Sequence, residues 1–508
     1  MSESPSSKRT SKGTEPIARA TTSAQAESRA NSRPTIGVVD TTLRDAHQCL
    51  WSTRMTTAHM LPVAGLMDEI GFQRIDLAGT IQFDVCVRFL KEDPWERVRL
   101  MRSRLQKTPL SSFTRSKNLV SFDVLPDDIV ALWVERLVAN GFREVGSFDG
   151  LNDVDNMLAT IDVARKLGVR TFGALAYCLS PVHTDDLYVN TARELVRRGK
   201  VDAIWLKDDG GLLTVDRIRT LVPAVKKVIG RIPLELHSHC LTGVAPLVYL
   251  EGVKAGADRV HTSIAPLANG AAQPSTQATA RNLRALGFSV DVDDALIEQV
   301  GEHFQRIATQ ENKPVGQVLE YDEFHYEHQV PGGMLSNFRT QLAESGLSHK
   351  FHALLEECAR VRKELGYPIM ITPFAQLVGT QAVFNVVHGE RYRIVPDEVK
   401  KYALGYYGKL LAPVDPDVLE RIVGNGSPRI ALKPEPLAPA VAALRRRYPG
   451  ASDDERILRF MFAGTQVDEM LAAGAMKTEY EFEKPLVRLM RELAKRKVTR
   501  IHFSRQGP

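Results

Sequence analysis

Two histidines one residue apart stand in the run "PLELHSHCLTG", between Pro233 and Gly243, inside an otherwise apolar stretch. In a β-strand residues i and i+2 point to the same side, so His237 and His239 project toward one spot. A Leu or Val pair would pack better there, and buried polar groups without partners cost several kcal/mol. Two readings fit the spacing: a pair of hydrogen-bonded histidines, or half of a metal site, since neutral imidazole is the commonest protein metal ligand. Asp45, in "TTLRDAHQ", supplies a carboxylate. One carboxylate and two imidazoles suit a divalent Lewis acid with an open coordination position. Lys207 ends the apolar run "IWLK" and is followed by Asp208 and Asp209. An ammonium group is strongly hydrated and costly to bury. The residues leave it open whether Lys207 forms a salt bridge to Asp208 or Asp209, or has taken up CO2 as a carbamate and become a carboxylate ligand.

The elements that must hold these groups show in the rhythm of the chain. Short apolar stretches stand at 36–44, 74–79, 109–115, 144–150, 170–178, 203–209, 233–239 and 259–266. Between them run amphipathic segments such as 127–141, 185–199 and 215–230, most closed by a C-capping glycine (Gly71, Gly141, Gly168, Gly199, Gly230, Gly256, Gly287). Eight strand-like runs alternating with helices over about 250 residues predict an α/β fold, a (β/α)8 TIM barrel. An open doubly wound sheet fits less well, because no Gly-x-Gly-x-x-Gly follows the first strand. In such a barrel active residues gather at the C-terminal ends of the strands. There the runs end in Arg44-Asp45, Arg115, Asp149, Lys207-Asp208 and His237-Ser238-His239, while the strand starts read as apolar. That asymmetry favours the metal site.

At 508 residues the chain calls for two or three domains. The expected division is a disordered tail over 1–34, the barrel over 35–310, a mainly helical domain capping the barrel mouth over 311–470, and a basic tail or helix over 471–508. A net charge of +5 gives no reason to expect nucleic acid. Five scattered cysteines suit reduced thiols in a cytoplasmic enzyme. No apolar run approaches the 18 residues of a membrane span, so no membrane insertion is expected.

Five longer stretches carry a resemblance: "DTTLRDAHQ" (40–48), "FDVCVRFLKEDPWERVR" (83–99), "SPVHT" (180–184), "PGGMLSN" (331–337) and "VGTQAVFNV" (378–386). Over roughly 36–470 the chain resembles the carboxyltransferase subunit of biotin-dependent enzymes: pyruvate carboxylase, the oxaloacetate decarboxylase α chain and the pyruvate-side subunit of transcarboxylase. The resemblance implies a divalent metal (zinc, or manganese or cobalt) held by Asp45, His237, His239 and a carbamylated Lys207. It implies that Arg44 and Gln48 hold the keto oxygen and shape the pocket, and that Arg115 grips the substrate carboxylate with Asp84 positioning it. It also implies that Thr372, in "MITPFAQ", relays a proton between the substrate methyl and the biotin nitrogen. The implied reaction moves a carboxyl group between carboxybiotin, supplied by a separate carrier protein, and the enolate of pyruvate or a related 2-oxo acid. Partners would be the biotin carrier with biotin carboxylase or decarboxylase subunits, in a homodimer or larger complex.

The chain departs from the family pattern around this set. "KDMAGLL" is here "KDDGGLL" (207–213), "HSHD" is "HSHC", and "GGTSQP" is "NGAAQP" (269–274). "GQNLVGY" is "SKNLVSF", so Phe122 lacks a hydroxyl, and "LAGTIQFD" (77–84) replaces a Trp-Gly-Gly-Ala-Thr segment. These changes leave open a different 2-oxo acid. They also leave open a metal-dependent aldol or Claisen-type lyase or synthase on the same barrel, or a non-catalytic scaffold subunit. "AAGAMKTEYEF" (472–482) is similar to a biotin-acceptor hairpin, but helical spacing precedes it and the strands of such a domain are missing. Lys477 is therefore not expected to carry biotin.

Overall fold

The computed structural model describes Met1 and residues 34–344, 346–424, 430–482 and 485–496. The expected tail over 1–34 lies almost wholly outside these residues, as does the end of the basic segment 471–508. Eight strands form a closed barrel: β1 (Gly37–Asp40), β2 (Arg74–Gly79), β3 (Leu110–Arg115), β4 (Glu144–Phe148), β5 (Arg170–Ala176), β6 (Ala203–Asp208), β7 (Leu234–Ser238) and β8 (Arg259–Thr262). All pair in parallel and in chain order, and β8 returns to β1 with Gly37 opposite Arg259 and Asp40 opposite Thr262. This is the (β/α)8 barrel that the alternation predicts. The strands are buried on both faces, which is why they read as continuous apolar runs.

The connecting helices follow the expected spacing, for example Asp127–Asn140 and Val215–Ile229, stopped by Gly141 (φ 128°) and Gly230 (φ 63°). Gly199 does not play that part. The helix Asp185–Glu194 runs on into a π-helical turn, Leu195–Gly199, and Lys200 takes the left-handed conformation (φ 49°) one step later. The first apolar run is also shorter as a strand than as a sequence. Asp40 ends β1 because its buried carboxylate accepts hydrogen bonds from the Thr42 N–H and hydroxyl (3.1 and 2.6 Å), which turns the chain.

The strand starts are charged, contrary to the apolar reading. Arg74 on β2 is fully buried against Glu235 on β7 and Glu144 on β4, and Arg259 on β8 also reaches Glu235 (2.8 Å). Each charge lies beside a strand terminus, so the linear pattern hid them; closure of the barrel makes them partners. Above this network lies an aromatic tier. Phe113, Phe148, Phe172 and Trp205 stack with ring centroids 4.1–5.8 Å apart. The Arg74 guanidinium faces Phe172 and Trp205 from one side, and the Lys207 amine faces Phe113 and Phe148 from the other.

A second apolar core, from Val330 to Ile422, is built on the helices Phe351–Glu364 and Phe374–His388. It rests on loops that follow the strands. Arg362 donates to the Leu179 carbonyl after β5, His325 pairs with the Gly210 carbonyl after β6, and Asn156 after β4 donates to the Tyr407 carbonyl. Residues 444–470 pack instead with the barrel's own core. Arg136 and Asn140, on the barrel helix Asp127–Asn140, bind the Asp454 carboxylate (2.7 and 2.9 Å). Among the described residues no helix is long and apolar enough to cross a membrane.

Candidate active site

The end of β7 meets the chain segment that leaves β1. After Asp40 a π-helical turn, Thr42–Ala46, leads into the short helix His47–Leu50, and this turn carries Arg44 and Asp45 inward. Nε2 of His237 lies 3.0 Å and Nε2 of His239 3.2 Å from Asp45 Oδ2. Both imidazoles are oriented from behind. Nδ1 of His239 is 2.6 Å from the Ala271 carbonyl, and Nδ1 of His237 is 3.1 Å from Nδ1 of His261, whose Nε2 lies 2.9 Å from Glu235. One proton assignment satisfies the whole chain: Glu235 accepts from His261 Nε2–H, and His261 Nδ1 accepts from His237 Nδ1–H. Each Nε2 is then the atom left facing Asp45, the one a metal-ligating imidazole presents.

Asp45 and the two histidines therefore converge, and the group includes Asp209, which the sequence offered only as a salt-bridge partner of Lys207. Asp45, Asp209, His237 and His239 place four ligand atoms within 4.8 Å of one another. Burial drives His237 well below the ordinary imidazole range, although Asp45 opposes it. At His239 burial pulls the same way, but Asp45, Cys49 and Asp209 outweigh it and hold the imidazole well above that range. Burial pushes the Asp45 carboxyl up, yet Arg44 and the histidines hold it well below the ordinary range. Two carboxylates facing two imidazoles call for positive charge between them, so the donor set fits a divalent ion.

Lys207 stands opposite His237 in the β6–β7 register. Its amine is in contact with Asp209, one of the four clustered groups. Gln273 also reaches the centre. Its Oε1 accepts from the Thr41 and Ser263 hydroxyls, which leaves Nε2 donating to Asp45 Oδ2 at 2.7 Å. The Cys49 thiol lies 3.8 Å from His239 Nδ1, and burial pushes it up so that it stays protonated. Sequence reasoning missed Gln273 and Asp209 as site residues. The signal was present in "NGAAQP", where Gln-Pro survives while its neighbours change, and in "KDDGG", where an acid replaces methionine.

The arginines are held by partners that leave one donor each. Arg44 pairs with Asp45 (2.8 Å) and Asp76 (2.7 Å), and its buried Nη2 has no partner among the described residues. Arg115 donates from Nε to the Leu119 carbonyl (2.9 Å) and from Nη2 to the Val120 carbonyl (2.8 Å), while its buried Nη1 has none. Gln48 accepts from Gln82 at 3.2 Å, and Gln82 also donates to the Arg44 carbonyl. Asp84 does not hydrogen-bond Arg115. It pairs with Arg88, one helical turn on, at 3.3 Å, and reaches Arg115 only through its field.

Thr372 precedes the helix Phe374–His388, and its hydroxyl oxygen accepts from Gln376 Nε2 at 3.0 Å, which leaves the hydroxyl proton free to be donated. Gln376, Pro373 and Leu377 line a cavity of about 310 Å³ with Phe122, Glu398 and Tyr407. Phe122 also stands under the Arg115 guanidinium, 5.8 Å from ring to carbon. The Phe374 ring packs where any side chain at Gly150, after β4, would have to go. These contacts tie the Thr372 segment to the loops after β3 and β4.

Residues 326–483 match the family model of a conserved carboxylase domain. The chain is 43% identical over 407 residues to a pyruvate carboxylase subunit from Methanocaldococcus jannaschii, covering 80% of this chain and 71% of that one. It is 33% identical over 395 residues to the large subunit of 2-oxoglutarate carboxylase from Hydrogenobacter thermophilus, covering 78% and 60%. The carboxyl transferase domain of Rhizobium etli pyruvate carboxylase, solved with pyruvate, superposes with a TM-score of 0.78 at 25% identity, over 89% of this chain and 79% of that one.

Proposed function

The chain belongs to the carboxyltransferase family of the biotin-dependent carboxylases, and on that premise we propose that it moves a carboxyl group between carboxybiotin on a separate carrier protein and the methyl carbon of pyruvate or a related 2-oxo acid. The observation that carries this reading is the convergence of Asp45, His237 and His239 at the C-terminal mouth of the barrel, with each imidazole Nε2 turned inward. Family membership favours carboxyl transfer over an aldol-type lyase, and the intact ligand set speaks against a mere scaffold.

The roles follow from what each side chain has left to offer. Asp45, His237 and His239 would hold a divalent ion (zinc, or manganese or cobalt), which would supply Lewis-acid stabilisation of the charge that develops on the keto oxygen. The resemblance implies a carbamate on Lys207 as a further ligand; in this chain Asp209 competes for that place. Arg115, with Nη1 unspent, is the group for the substrate carboxylate, and Arg44 Nη2 and Gln48 face the keto end. Thr372 gives its proton to the ureido nitrogen as carboxybiotin releases CO2, and takes one from the substrate methyl group. The resulting enolate carbon attacks the CO2. The aromatic tier under Lys207 helps to exclude water, which would otherwise protonate the enolate.

The carrier, and the biotin carboxylase or decarboxylase that loads or drains it, are separate chains in this reading, and a homodimer or larger complex assembles them. Five free cysteines fit a cytoplasmic setting. The test supplies a carboxylated biotin carrier and measures carboxyl transfer to pyruvate and to 2-oxoglutarate, with metal content followed in parallel. Transfer to one of them is expected. No transfer to any small 2-oxo acid by metal-replete protein would refute the assignment.

A further inference from the structure

We propose that Asp209, in place of a carbamate on Lys207, completes the metal-binding set, with Lys207 as its ion-pair partner. The inference rests on the reading of Asp45, His237 and His239 as a metal centre. Asp209 Oδ1 lies 3.4 Å from His239 Nε2 and 3.9 Å from His237 Nε2. These are the same two nitrogens that Asp45 faces at 3.2 and 3.0 Å. The two carboxylates thus address one point, the pair of imidazole Nε2 atoms. Asp209 is only about one-fifth exposed, and within the cluster it alone has a lysine for company.

Lys207 is committed elsewhere. Its amine contacts the Asp209 carboxylate and faces the rings of Phe113 and Phe148 at 5.5 and 5.3 Å. A carbamate forms when a neutral amine attacks CO2 and loses a proton. The product would also set a second anion against Asp209. Asp45 and Asp209 already match the charge of a divalent ion. A carbamate would add a third negative charge before an anionic 2-oxo acid arrives, whereas an ammonium adds a positive one. Where the resembling sequences read "KDMAGLL", this chain reads "KDDGGLL". The acid sits where methionine could supply no carboxylate, and the demand for CO2 as a ligand source goes with it.

The test uses the full-length chain and needs no turnover. Metal affinity is measured for the wild type in CO2-stripped and bicarbonate-saturated buffer, and for Asp209→Asn. Carbon-13 NMR of wild-type protein in labelled bicarbonate reports any lysine carbamate directly. Expected are a metal affinity indifferent to CO2, no carbamate resonance, and a loss in Asp209→Asn of at least about 10- to 100-fold, the range seen when a group merely hydrogen-bonded to a ligand is removed. The absorption spectrum of the cobalt-loaded protein should change in that variant, as a lost ligand requires. A carbamate resonance, or metal affinity that falls when CO2 is removed, overturns the inference, as does unchanged affinity in Asp209→Asn. Failure of the metal centre itself shows differently: Asp45→Asn and His237→Gln would then leave metal content untouched, or the wild type would take up none.

Discussion

Replacing Arg115 by lysine tests the substrate assignment, because the structure shows what each guanidinium nitrogen does. Nε and Nη2 are spent on the carbonyls of Leu119 and Val120, and Nη1 is buried with nothing to bind among the described residues. Lysine offers one nitrogen on a flexible stem, so it cannot satisfy two backbone carbonyls and still present a donor. The lost charged hydrogen bond to a carboxylate is worth about 1.5–3 kcal/mol, and a buried carbonyl left unpaired about 1 more. A loss of about 2.5–4 kcal/mol corresponds to a roughly 70- to 1,000-fold fall in kcat/KM. The assay is carboxyl transfer from a carboxylated carrier to the 2-oxo acid, with metal content measured on the same samples. Metal should stay at the wild-type level, because Arg115 contacts none of Asp45, Asp209, His237 or His239. A variant within about threefold of wild type, a difference under 1 kcal/mol, would show that the carboxylate is held elsewhere.

Asp84→Asn should cost less than tenfold in the same assay, about 1.4 kcal/mol, because Asp84 pairs with Arg88 and not with Arg115. Glu235→Leu leaves Arg74 buried beside Glu144 alone and should cost about 3–5 kcal/mol in urea unfolding, with His261 losing its acceptor as well. Gly146→Ala drives a methyl group into the Phe172 ring, 1.6 Å from its nearest carbon, and overpacking of this kind should destabilise by about 1–3 kcal/mol or more. Burial pulls His328 down to about 4, so the unfolded chain binds its proton first and this histidine's contribution to stability is lost as pH falls from 6.5 toward 4. His328→Asn retains an acceptor for the Val330 N–H and should flatten that part of the unfolding profile by up to about 3 kcal/mol; an unchanged acid limb would contradict the buried neutral imidazole.

The sequence made the barrel legible because short, largely apolar stretches alternate with periodic helical ones, with turn residues between. His237 and His239 were legible for the same local reason: a period of two fixes their common side. Non-local partners were not. Asp209 reads as one more acid in a turn until the fold sets it against His239, and Gln273 reads as a loop amide until Thr41 and Ser263 aim it at Asp45. The buried Arg74–Glu235–His261 chain is spread over three strands, and none of its members stands out alone. Even Asp84, next to Arg88 in the helical repeat, shows that a nearby partner can claim a residue that a resemblance would send elsewhere.

The pairing of β8 with β1 also sets a clock. Gln273 reaches Asp45 across 228 residues of chain, and the histidines that face Asp45 come from the seventh strand. A ribosome adding about 5–20 residues per second needs roughly 10 to 45 s to deliver that stretch. For most of that interval Asp45 has been made but His237 and His239 have not, so the early nascent chain lacks the groups that face it. A metal ion held by Asp45, His237 and His239 would therefore be loaded late, after the seventh strand has been delivered. Contacts so distant in sequence slow folding as well.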